Sequence, residues 1–380
     1  MLYRAFQDLK LSALGFGLMR LPVLDKDNSR IDYEAAQEMI HYAMAHGVNY
    51  YDTAYAYHEG QSERFIGQVM KDYPRKDYYL ASKFPGYEQA HFHRKKEIFE
   101  EQLAKCQTDY FDFYLMHSVS DSNIEWYMDD ELGLADYLLS EKKAGRIRHL
   151  GFSTHSSLEN LERFLEKYHA IFEFGQVQVN WIDWSYQDAK IKMDLLKRYH
   201  IPVWVMEPLR GGYLSKLSDQ EKEEMQAIRP GESIAAMSFR YIQQFDQVGV
   251  TLSGMSNLDQ VKENIKTFSD FRPLTPEEND QLMGLAFEKI KSLVVPCTAC
   301  QYCVPECPVK LEIPALMKTY NELAFEDGVE ALPESLKKKG EAGDPNRCIA
   351  CHACEKKCPQ SIPIAETNAK LAEKASAQKG

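Results

Sequence analysis

The amino-acid sequence predicts an α/β protein, a (β/α)8 TIM barrel followed by a small, mostly helical domain. Short apolar runs alternate with amphipathic stretches over the first 290 residues, and eight such units match the usual size of this barrel. The chain has 380 residues, too many for one small core, and eight of its nine cysteines follow residue 296. We therefore predict two domains, at 1–292 and 293–380.

The barrel strands are predicted from short apolar runs, and the helices from apolar residues at helical spacing. The predicted strands are 13–17, 48–52, 78–83, 111–117, 147–153, 174–180, 202–206 and 248–254. The clearest helical patterns are 32–46, 61–71, 94–106 and 158–168. A doubly wound open sheet is the alternative. It is disfavoured because no G-x-G-x-x-G turn opens a helix after any of these strands.

Polar side chains with complementary chemistry stand where three successive predicted strands end. Asp52 ends the second strand, Lys83 the third and His117 the fourth. Tyr57 follows five residues after Asp52. A barrel of this type carries its chemistry at the carboxyl ends of its strands. One such residue is usually a cap or a surface group, but four together indicate an active site.

The same residues lie in motifs that make the first 290 residues resemble the aldo-keto reductase family. The motifs are DTAYAY at 52–57, ASK at 81–83, DFYLMH at 112–117, GFS at 151–153, QVQVN at 176–180 and QVKEN at 260–264. The resemblance implies a TIM barrel that reduces aldehydes or ketones with a nicotinamide cofactor, or oxidises the corresponding alcohols. It also implies a catalytic tetrad of Asp52, Tyr57, Lys83 and His117.

Elementary chemistry gives each member of this tetrad a role. Hydride reduction of a carbonyl leaves an alkoxide that must be protonated, and a tyrosine with a pKa near ~10 is a poor acid at pH 7. A nearby ammonium such as Lys83 stabilises the phenolate of Tyr57 and lowers its pKa, and Asp52 holds that lysine charged and in place. His117 is predicted to donate a hydrogen bond to the carbonyl oxygen. The nicotinamide supplies the hydride.

The cofactor contacts are predicted from the resemblance alone. Ser153, Gln176 and Asn180 are assigned to the nicotinamide carboxamide. Met206 stands where many relatives stack a tyrosine on the nicotinamide ring, and its polarizable sulfur can pack there instead. Asn264, the last residue of the QVKEN motif, is assigned to the cofactor as well.

The choice between NADP(H) and NAD(H) stays open. Gly254 and Gln260 stand where better-known family members carry the Lys and Arg that bind the 2′-phosphate. Without those charges, neither cofactor is favoured. Lys262 and Arg210 are neighbouring cations that remain as alternatives.

The late cysteines form two runs of identical spacing, C-x2-C-x2-C-x3-C-P. The first run is Cys297, Cys300, Cys303 and Cys307, and the second is Cys348, Cys351, Cys354 and Cys358. This is the bacterial spacing for [4Fe–4S] clusters, in which the fourth cysteine of a run ligates the other cluster. The predicted ligand sets are therefore Cys297, Cys300, Cys303 and Cys358 for one cluster, and Cys348, Cys351, Cys354 and Cys307 for the other.

Other uses of these cysteines are weaker. Disulfides need an oxidising compartment, which nothing else in the sequence indicates. Zinc sites use C-x2-C pairs, for which a third cysteine at the same spacing is surplus. Between the runs, residues 313–325 have helical apolar spacing, which resembles the helical two-cluster ferredoxins. Residues 365–380 are predicted to form a helix that frays.

Charge and hydropathy limit the partners. The net charge is −12, and residues 292–380 carry 11 Lys/Arg against 12 Asp/Glu, so −11 of it lies before residue 292. An acidic main domain argues against nucleic acid. No apolar run is long enough to span a membrane, and the N-terminus lacks the apolar region of a secretory signal. The predicted location is the cytoplasm.

Three function classes stay open. The first is a nicotinamide-dependent enzyme for a small carbonyl or alcohol, with clusters that exchange electrons with a one-electron carrier protein. The second is the same enzyme with clusters that only stabilise the tail. The third is a redox-sensing binding module, which the complete tetrad argues against. Two clusters favour electron transfer, although coupling them to a nicotinamide needs a gate such as a flavin, for which the sequence shows no motif.

Overall fold

Eight parallel strands close into one barrel in the computed structural model, which describes residues 1–325 and 332–376. A hairpin of two antiparallel strands, β1 (Tyr3–Phe6) and β2 (Leu9–Ser12), precedes the barrel. The barrel strands are β3 (Leu14–Gly17), β4 (Tyr50–Asp52), β5 (Tyr79–Phe84), β6 (Phe111–Val119), β7 (Ile147–Thr154), β8 (Phe174–Gln178), β9 (Val203–Met206) and β10 (Val248–Gly254). Each pairs with its neighbour in sequence, and β10 pairs with β3. The predicted barrel is confirmed.

Helices follow the strands in alternation through the barrel. They are α1 (Tyr33–Ala45), α2 (Gln61–Val69), α3 (Gln89–His93), α4 (Lys95–Cys106), α5 (Ile124–Met128), α6 (Leu134–Lys143), α7 (Leu158–Tyr168), α8 (Asp183–Tyr186), α9 (Ala189–Arg198), α10 (Asp219–Ile228), α11 (Ile234–Gln243), α12 (Leu258–Thr267) and α13 (Pro276–Leu293). In the part of the chain that the structure describes, no helix has the length and apolar character required to cross a bilayer.

Helix α7 illustrates how the sequence determines such an element. Ser157 accepts a hydrogen bond at 3.4 Å from the backbone N–H of Asn160, which satisfies a donor that the first turn leaves free. The buried side chains recur at helical spacing and are Leu161, Phe164, Leu165 and Tyr168. The helix therefore covers the barrel with one apolar face and leaves its charged face in water.

The N-terminal hairpin, which the sequence did not predict, closes the barrel at the end where the strands begin. Phe6 and Leu11 are buried in one hydrophobic cluster with residues from the starts of several strands. The ring of Phe6 lies 5.0 Å from that of Trp204 and 5.7 Å from that of Phe113. Burying one such ring contributes about 1.5–3 kcal/mol. The opposite end of the barrel, where the strands finish, is left for a binding site.

The chain divides into two compact units, Met1–Met283 and Gly284–Gly380. Beyond α13, the second unit contains α14 (Ile313–Glu322), α15 (Glu334–Lys337) and α16 (Ile364–Ser376), and α14 packs against α16. The second unit is thus mostly helical, as predicted. Its core also includes cysteines: Cys303 and Cys354 belong to the same hydrophobic cluster as Leu316. Residues 377–380 of the predicted tail helix lie outside the described residues.

Candidate active site and cysteine-lined cavities

The four tetrad candidates lie at the carboxyl ends of three neighbouring strands. Asp52 is the last residue of β4, Lys83 is the next to last of β5, and His117 lies two residues before the end of β6. Tyr57 begins a short 3-10 helix that follows β4. Because β4, β5 and β6 are adjacent in the barrel, these side chains converge on one point.

Lys83 connects the members of this group. Its side chain is fully buried, and its Nζ donates hydrogen bonds to Oδ1 of Asp52 at 2.5 Å and to the backbone oxygen of Thr53 at 2.7 Å. The same Nζ lies 3.3 Å from the hydroxyl of Tyr57. Burial raises the pKa of Asp52, and the charge of Lys83 opposes that rise. A buried ammonium is tolerated only with such partners, so the lysine is held rigidly against Tyr57.

Tyr57 is held in its protonated form. Burial raises the pKa of Tyr57 well above its ordinary value of 10, and the negative charges of Asp52 and Glu207 raise it further. The prediction that the ammonium of Lys83 stabilises the phenolate of Tyr57 concerns a separate contribution to this pKa and stays a prediction. A phenol that keeps its proton at neutral pH is the form that a proton donor needs.

His117 has a partner that the sequence did not indicate, the hydroxyl of Tyr87. A short hydrogen bond joins that hydroxyl to Nδ1 of His117. Burial lowers the pKa of His117 well below its ordinary value of 6.5, and the charge of Lys83 lowers it further. The ring of His117 lies 5.9 Å from that of Tyr57. Tyr87 stands 30 residues before His117 in a loop without a motif, so no sequence pattern marked it.

Three of the predicted nicotinamide contacts lie on the neighbouring strands β7, β8 and β9. Gln176 on β8 is adjacent in register to Ser153 on β7, and its Nε2 donates to Sδ of Met206 on β9 at 3.6 Å. The Oε1 of Gln176 is buried and has no hydrogen-bond partner among the described residues. The Oγ of Ser153 accepts from the backbone N–H of Ser118 at 2.7 Å, which leaves its own proton to donate. Gln176 and Ser153 therefore offer one acceptor and one donor to an amide ligand.

Asn180, in contrast to Gln176, already has hydrogen-bond partners for its whole side-chain amide. It lies two residues beyond β8, and its amide oxygen accepts from the backbone N–H groups of Ile182 and Asp183 at 3.0 and 2.8 Å. Its amide nitrogen donates to Asp183 at 2.6 Å and to the backbone oxygen of Glu207 at 3.1 Å. Asp183 also forms a buried ion pair with Arg210. These bonds use every donor and acceptor of the Asn180 amide.

The residues on α12 and at the end of β10 that the sequence analysis discussed lie partly in the interior and partly on the surface. Asn264 is buried, and its Nδ2 donates to the hydroxyl of Ser253 at 3.0 Å. Gly254 ends β10 in an exposed position. Lys262 is exposed, with its Nζ 4.0 Å from Oδ1 of Asp259. Of the two cations suggested by the sequence, Lys262 is thus on the surface and Arg210 is in the interior.

In the second unit, each predicted set of four cysteines lines one cavity. The residues that line the first cavity include Cys297, Cys300, Cys303 and Cys358. The residues that line the second cavity include Cys348, Cys351, Cys354 and Cys307. All of these cysteines are free thiols. The fourth cysteine of each run therefore faces the cavity of the other run, which is the crossed arrangement that the spacing predicts.

The two cavities belong to an internal repeat. An offset of 51 residues relates Cys297 to Cys348 and Cys307 to Cys358. The same offset relates Ile313 to Ile364, the first residues of α14 and α16. The equal spacing of the two cysteine runs shows the repeat in the sequence. The structure adds that the repeat extends into α14 and α16.

Models of two known protein families match this chain. The model described as "Aldo/keto reductase family" matches residues 13–286, and the model described as "4Fe-4S dicluster domain" matches residues 296–362. The first match covers the barrel strands and the tetrad, and the second covers both cysteine runs.

Similar sequences include several reductases and dehydrogenases. The uncharacterized oxidoreductase YqkF of Bacillus subtilis (strain 168) is 26% identical over 305 residues, covering 71% of this chain and 91% of that protein. L-galactose dehydrogenase of Arabidopsis thaliana is 24% identical over 317 residues, covering 76% and 94%. With probable aldo-keto reductase 1 of Glycine max, the similarity spans 58% of that protein's length and 54% of this chain, at 26% identity.

Solved structures show the same fold. The holo form of the aldo-keto reductase AKR11C1 from Bacillus halodurans is 26% identical with a TM-score of 0.61, covering 75% of this chain and 96% of that one. The aldo/keto reductase from Klebsiella pneumoniae, solved in complex with NADP and acetate, is 20% identical with a TM-score of 0.58. It covers 74% of this chain and 93% of its own.

Proposed function

Since the chain belongs to the aldo/keto reductase family, we propose that it reduces an aldehyde or ketone with NAD(P)H, or oxidises the corresponding alcohol. Its second unit carries two [4Fe–4S] clusters, which exchange electrons with a one-electron carrier protein. The observation that carries the proposal is the convergence of Lys83, Asp52, Tyr57 and His117 at the carboxyl end of the barrel.

The proposed chemistry divides between the cofactor and the chain. The nicotinamide, when bound, supplies the hydride. Tyr57 donates its phenolic proton to the substrate oxygen as that oxygen gains negative charge. Lys83, 3.3 Å from the hydroxyl, stabilises the phenolate that remains, and Asp52 keeps Lys83 in position. In alcohol oxidation the same phenolate takes the proton back.

His117 must carry its ring proton on Nε2 in order to donate a hydrogen bond to the substrate carbonyl. We assign the hydroxyl of Tyr87 as the donor to Nδ1, which places the ring proton on Nε2. The lowered pKa of His117 supports a neutral ring, and the raised pKa of Tyr87 supports a protonated hydroxyl. Tyr87 is thus a positioning residue that acts through His117.

The residues at the strand ends fit a nicotinamide. The unpartnered Oε1 of Gln176 accepts from the carboxamide nitrogen, and the hydroxyl of Ser153 donates to the carboxamide oxygen. Met206 packs against the ring. Asn180 and Asn264 were predicted as further contacts. Asn180 would have to give up an existing hydrogen bond to serve, whereas the bond from Asn264 to Ser253 uses one hydrogen of its Nδ2.

Of the two cations that the sequence suggested for the 2′-phosphate of the cofactor, one is accessible to a ligand. Arg210 is buried against Asp183, whereas the exposed Lys262 can reach a ligand at the surface. We assign Lys262 to the 2′-phosphate if NADPH is the cofactor. Lys262→Met should then raise the KM for NADPH and leave the KM for NADH unchanged. Equal effects on both would argue that Lys262 takes no part in cofactor choice.

The cluster assignment follows the two cavities. Cys297, Cys300, Cys303 and Cys358 hold the first cluster, and Cys348, Cys351, Cys354 and Cys307 hold the second. Each cavity presents four thiols and an otherwise largely apolar lining, which suits a [4Fe–4S] cluster. The clusters exchange single electrons with the carrier. No direct transfer between nicotinamide and cluster is assigned, because a two-electron donor needs a separate gate.

A purely structural role for the clusters is the second candidate function. It is favoured by one observation: Cys303 and Cys354 are each only 8% exposed and lie within the hydrophobic core of the second unit. Metal–thiolate sites can supply folding energy. In that case, removing iron would unfold the unit while leaving carbonyl reduction in the barrel intact.

The test begins with anaerobic purification and metal analysis, for which we expect about eight iron atoms per chain, from two four-iron clusters. Oxidation of NADH and NADPH is then followed over a panel of aldehydes and ketones. Cluster reduction by a viologen dye tests electron exchange. Stoichiometric zinc with little iron would contradict the clusters, and no carbonyl-dependent oxidation of either nicotinamide would contradict the reductase.

A further inference from the structure

The 51-residue repeat relates most of the residues that line the two cluster cavities, and at one fully buried position it pairs an apolar side chain with a polar one. Met317 on α14 lines the first cavity, and Asn368 on α16 lines the second. The offset of the cysteines relates these two residues to each other. Both have no exposed surface. The repeat therefore places a thioether at one cavity and an amide at the equivalent point of the other.

The amide of Asn368 has no hydrogen-bond partner in the part of the chain that the structure describes. Neither its Nδ2 nor its Oδ1 has a hydrogen-bond partner among the described residues. Buried polar side chains nearly always have at least one partner, because losing water without a replacement is costly. An amide that is buried at the wall of a cavity and lacks a partner within residues 1–325 and 332–376 indicates that the partner is the group occupying the cavity.

A [4Fe–4S] cluster presents acceptors, the sulfide and cysteine sulfurs, and its negative charge increases by one on reduction. Only the amide nitrogen of Asn368 can pair with such a group. The Met317 side chain at the equivalent point has no hydrogen to donate. A donated hydrogen bond stabilises the more negative, reduced state, which raises the reduction potential.

We propose that Asn368 donates a hydrogen bond to a sulfur of the cluster held by Cys348, Cys351, Cys354 and Cys307, and so raises that cluster's reduction potential above that of the other. This inference rests on the cluster assignment in the proposed function. No covalent bond forms or breaks: each cluster gains one electron from a one-electron donor. A single electron entering the unit therefore resides on the second cluster, and the first cluster is reduced at a lower potential.

The repeat supplies reciprocal variants for the test, Asn368→Met and Met317→Asn, each of which installs the residue of the equivalent position. The readout is an anaerobic redox titration of the full-length protein, followed by electron paramagnetic resonance of the reduced clusters. The wild type should show two midpoint potentials. Asn368→Met should lower the higher one towards the lower, and Met317→Asn should raise the lower one.

Iron analysis separates the failure of this inference from the failure of the proposed function. If the wild type contains zinc in place of iron, the cluster assignment is wrong and the inference falls with it. If Asn368→Met retains about eight iron atoms and both potentials stay unchanged, the inference alone is wrong. If Asn368→Met loses iron, Met317→Asn decides: a raised potential supports the hydrogen bond, and an unchanged one overturns it.

Discussion

The active site of the barrel and the cavities of the second unit are assembled in opposite ways. Asp52 and His117 are far apart in the sequence, and only the adjacency of β4, β5 and β6 brings them together. In the second unit, three of four cysteines at each cavity come from a single short run, and only the fourth comes from the other run. The barrel site therefore depends on the whole fold, whereas each cavity depends on one loop and one crossing residue.

The largest expected effect tests that crossing. Cys358→Ala should abolish the cluster in the first cavity and lower the iron content from about eight to about four atoms per chain. The reason is that Cys358 faces the cavity of the other run. Iron analysis and the spectrum of the reduced protein measure the loss. Cys106→Ala is the matched control, because this buried thiol lies in the barrel, and it should retain about eight iron atoms.

Double variants show which cluster is lost. Adding Cys300→Ala to Cys358→Ala should remove no further iron, because both residues line the first cavity. Adding Cys351→Ala should remove nearly all of it, because Cys351 lines the second. The reverse pattern would mean that each run holds its own cluster without crossing.

The next largest effect concerns the barrel. Tyr57→Phe removes the proton donor, and we expect turnover of a carbonyl substrate to fall by about 10²–10⁴-fold with nicotinamide affinity nearly unchanged. Tyr55→Phe is the control, because the hydroxyl of Tyr55 donates to Glu101 at 2.8 Å and takes no part in the tetrad. Steady-state kinetics and nicotinamide titration measure the two quantities. Turnover near that of the wild type would exclude Tyr57 as the acid.

Local patterns explain what the sequence revealed. The eight strands appeared as short apolar runs, and the cysteine spacing encodes geometry within one loop. The hairpin that contains Phe6 was missed because its four-residue strands show no clear alternation of apolar and polar residues. Its side chains Phe6 and Leu11 nevertheless pack into the barrel core. Tyr87 and Asn368 were missed for another reason. Each acts on a group that only the folded chain brings near it, His117 in one case and a cysteine-lined cavity in the other.

Tyr87→Phe tests whether the barrel site depends on residues outside the tetrad that only the fold brings near it. The variant removes the hydroxyl that holds Nδ1 of His117. By analogy with partners that orient histidine ligands, we expect kcat to fall by about tenfold to a hundredfold, with the KM for the nicotinamide unchanged. The nitrogen-15 shifts of the His117 ring should change from a single Nε2-protonated tautomer to a mixture. An unchanged kcat with an unchanged tautomer would exclude the positioning role.

The smallest expected effect is the response of the barrel site to pH. Because burial and the charge of Lys83 lower the pKa of His117 well below 6.5, the ring stays neutral until the pH falls far below that value. Because burial raises the pKa of Tyr57 above 10, its proton is lost only in strong alkali. Neither group titrates in the neutral range, so kcat/KM for carbonyl reduction should be flat between about pH 6 and pH 8.

The barrel site and the clusters should therefore respond differently to mild acidification. Metal binding by cysteine depends on pH because the ligand must be deprotonated, so iron should be lost before carbonyl reduction declines. Parallel measurement of iron content and kcat/KM across the pH range, at constant ionic strength, compares them directly. A decline of kcat/KM centred near pH 6.5 would show that His117 titrates normally and is not insulated by its burial. A decline that follows the loss of iron would show instead that the reductase site depends on the clusters.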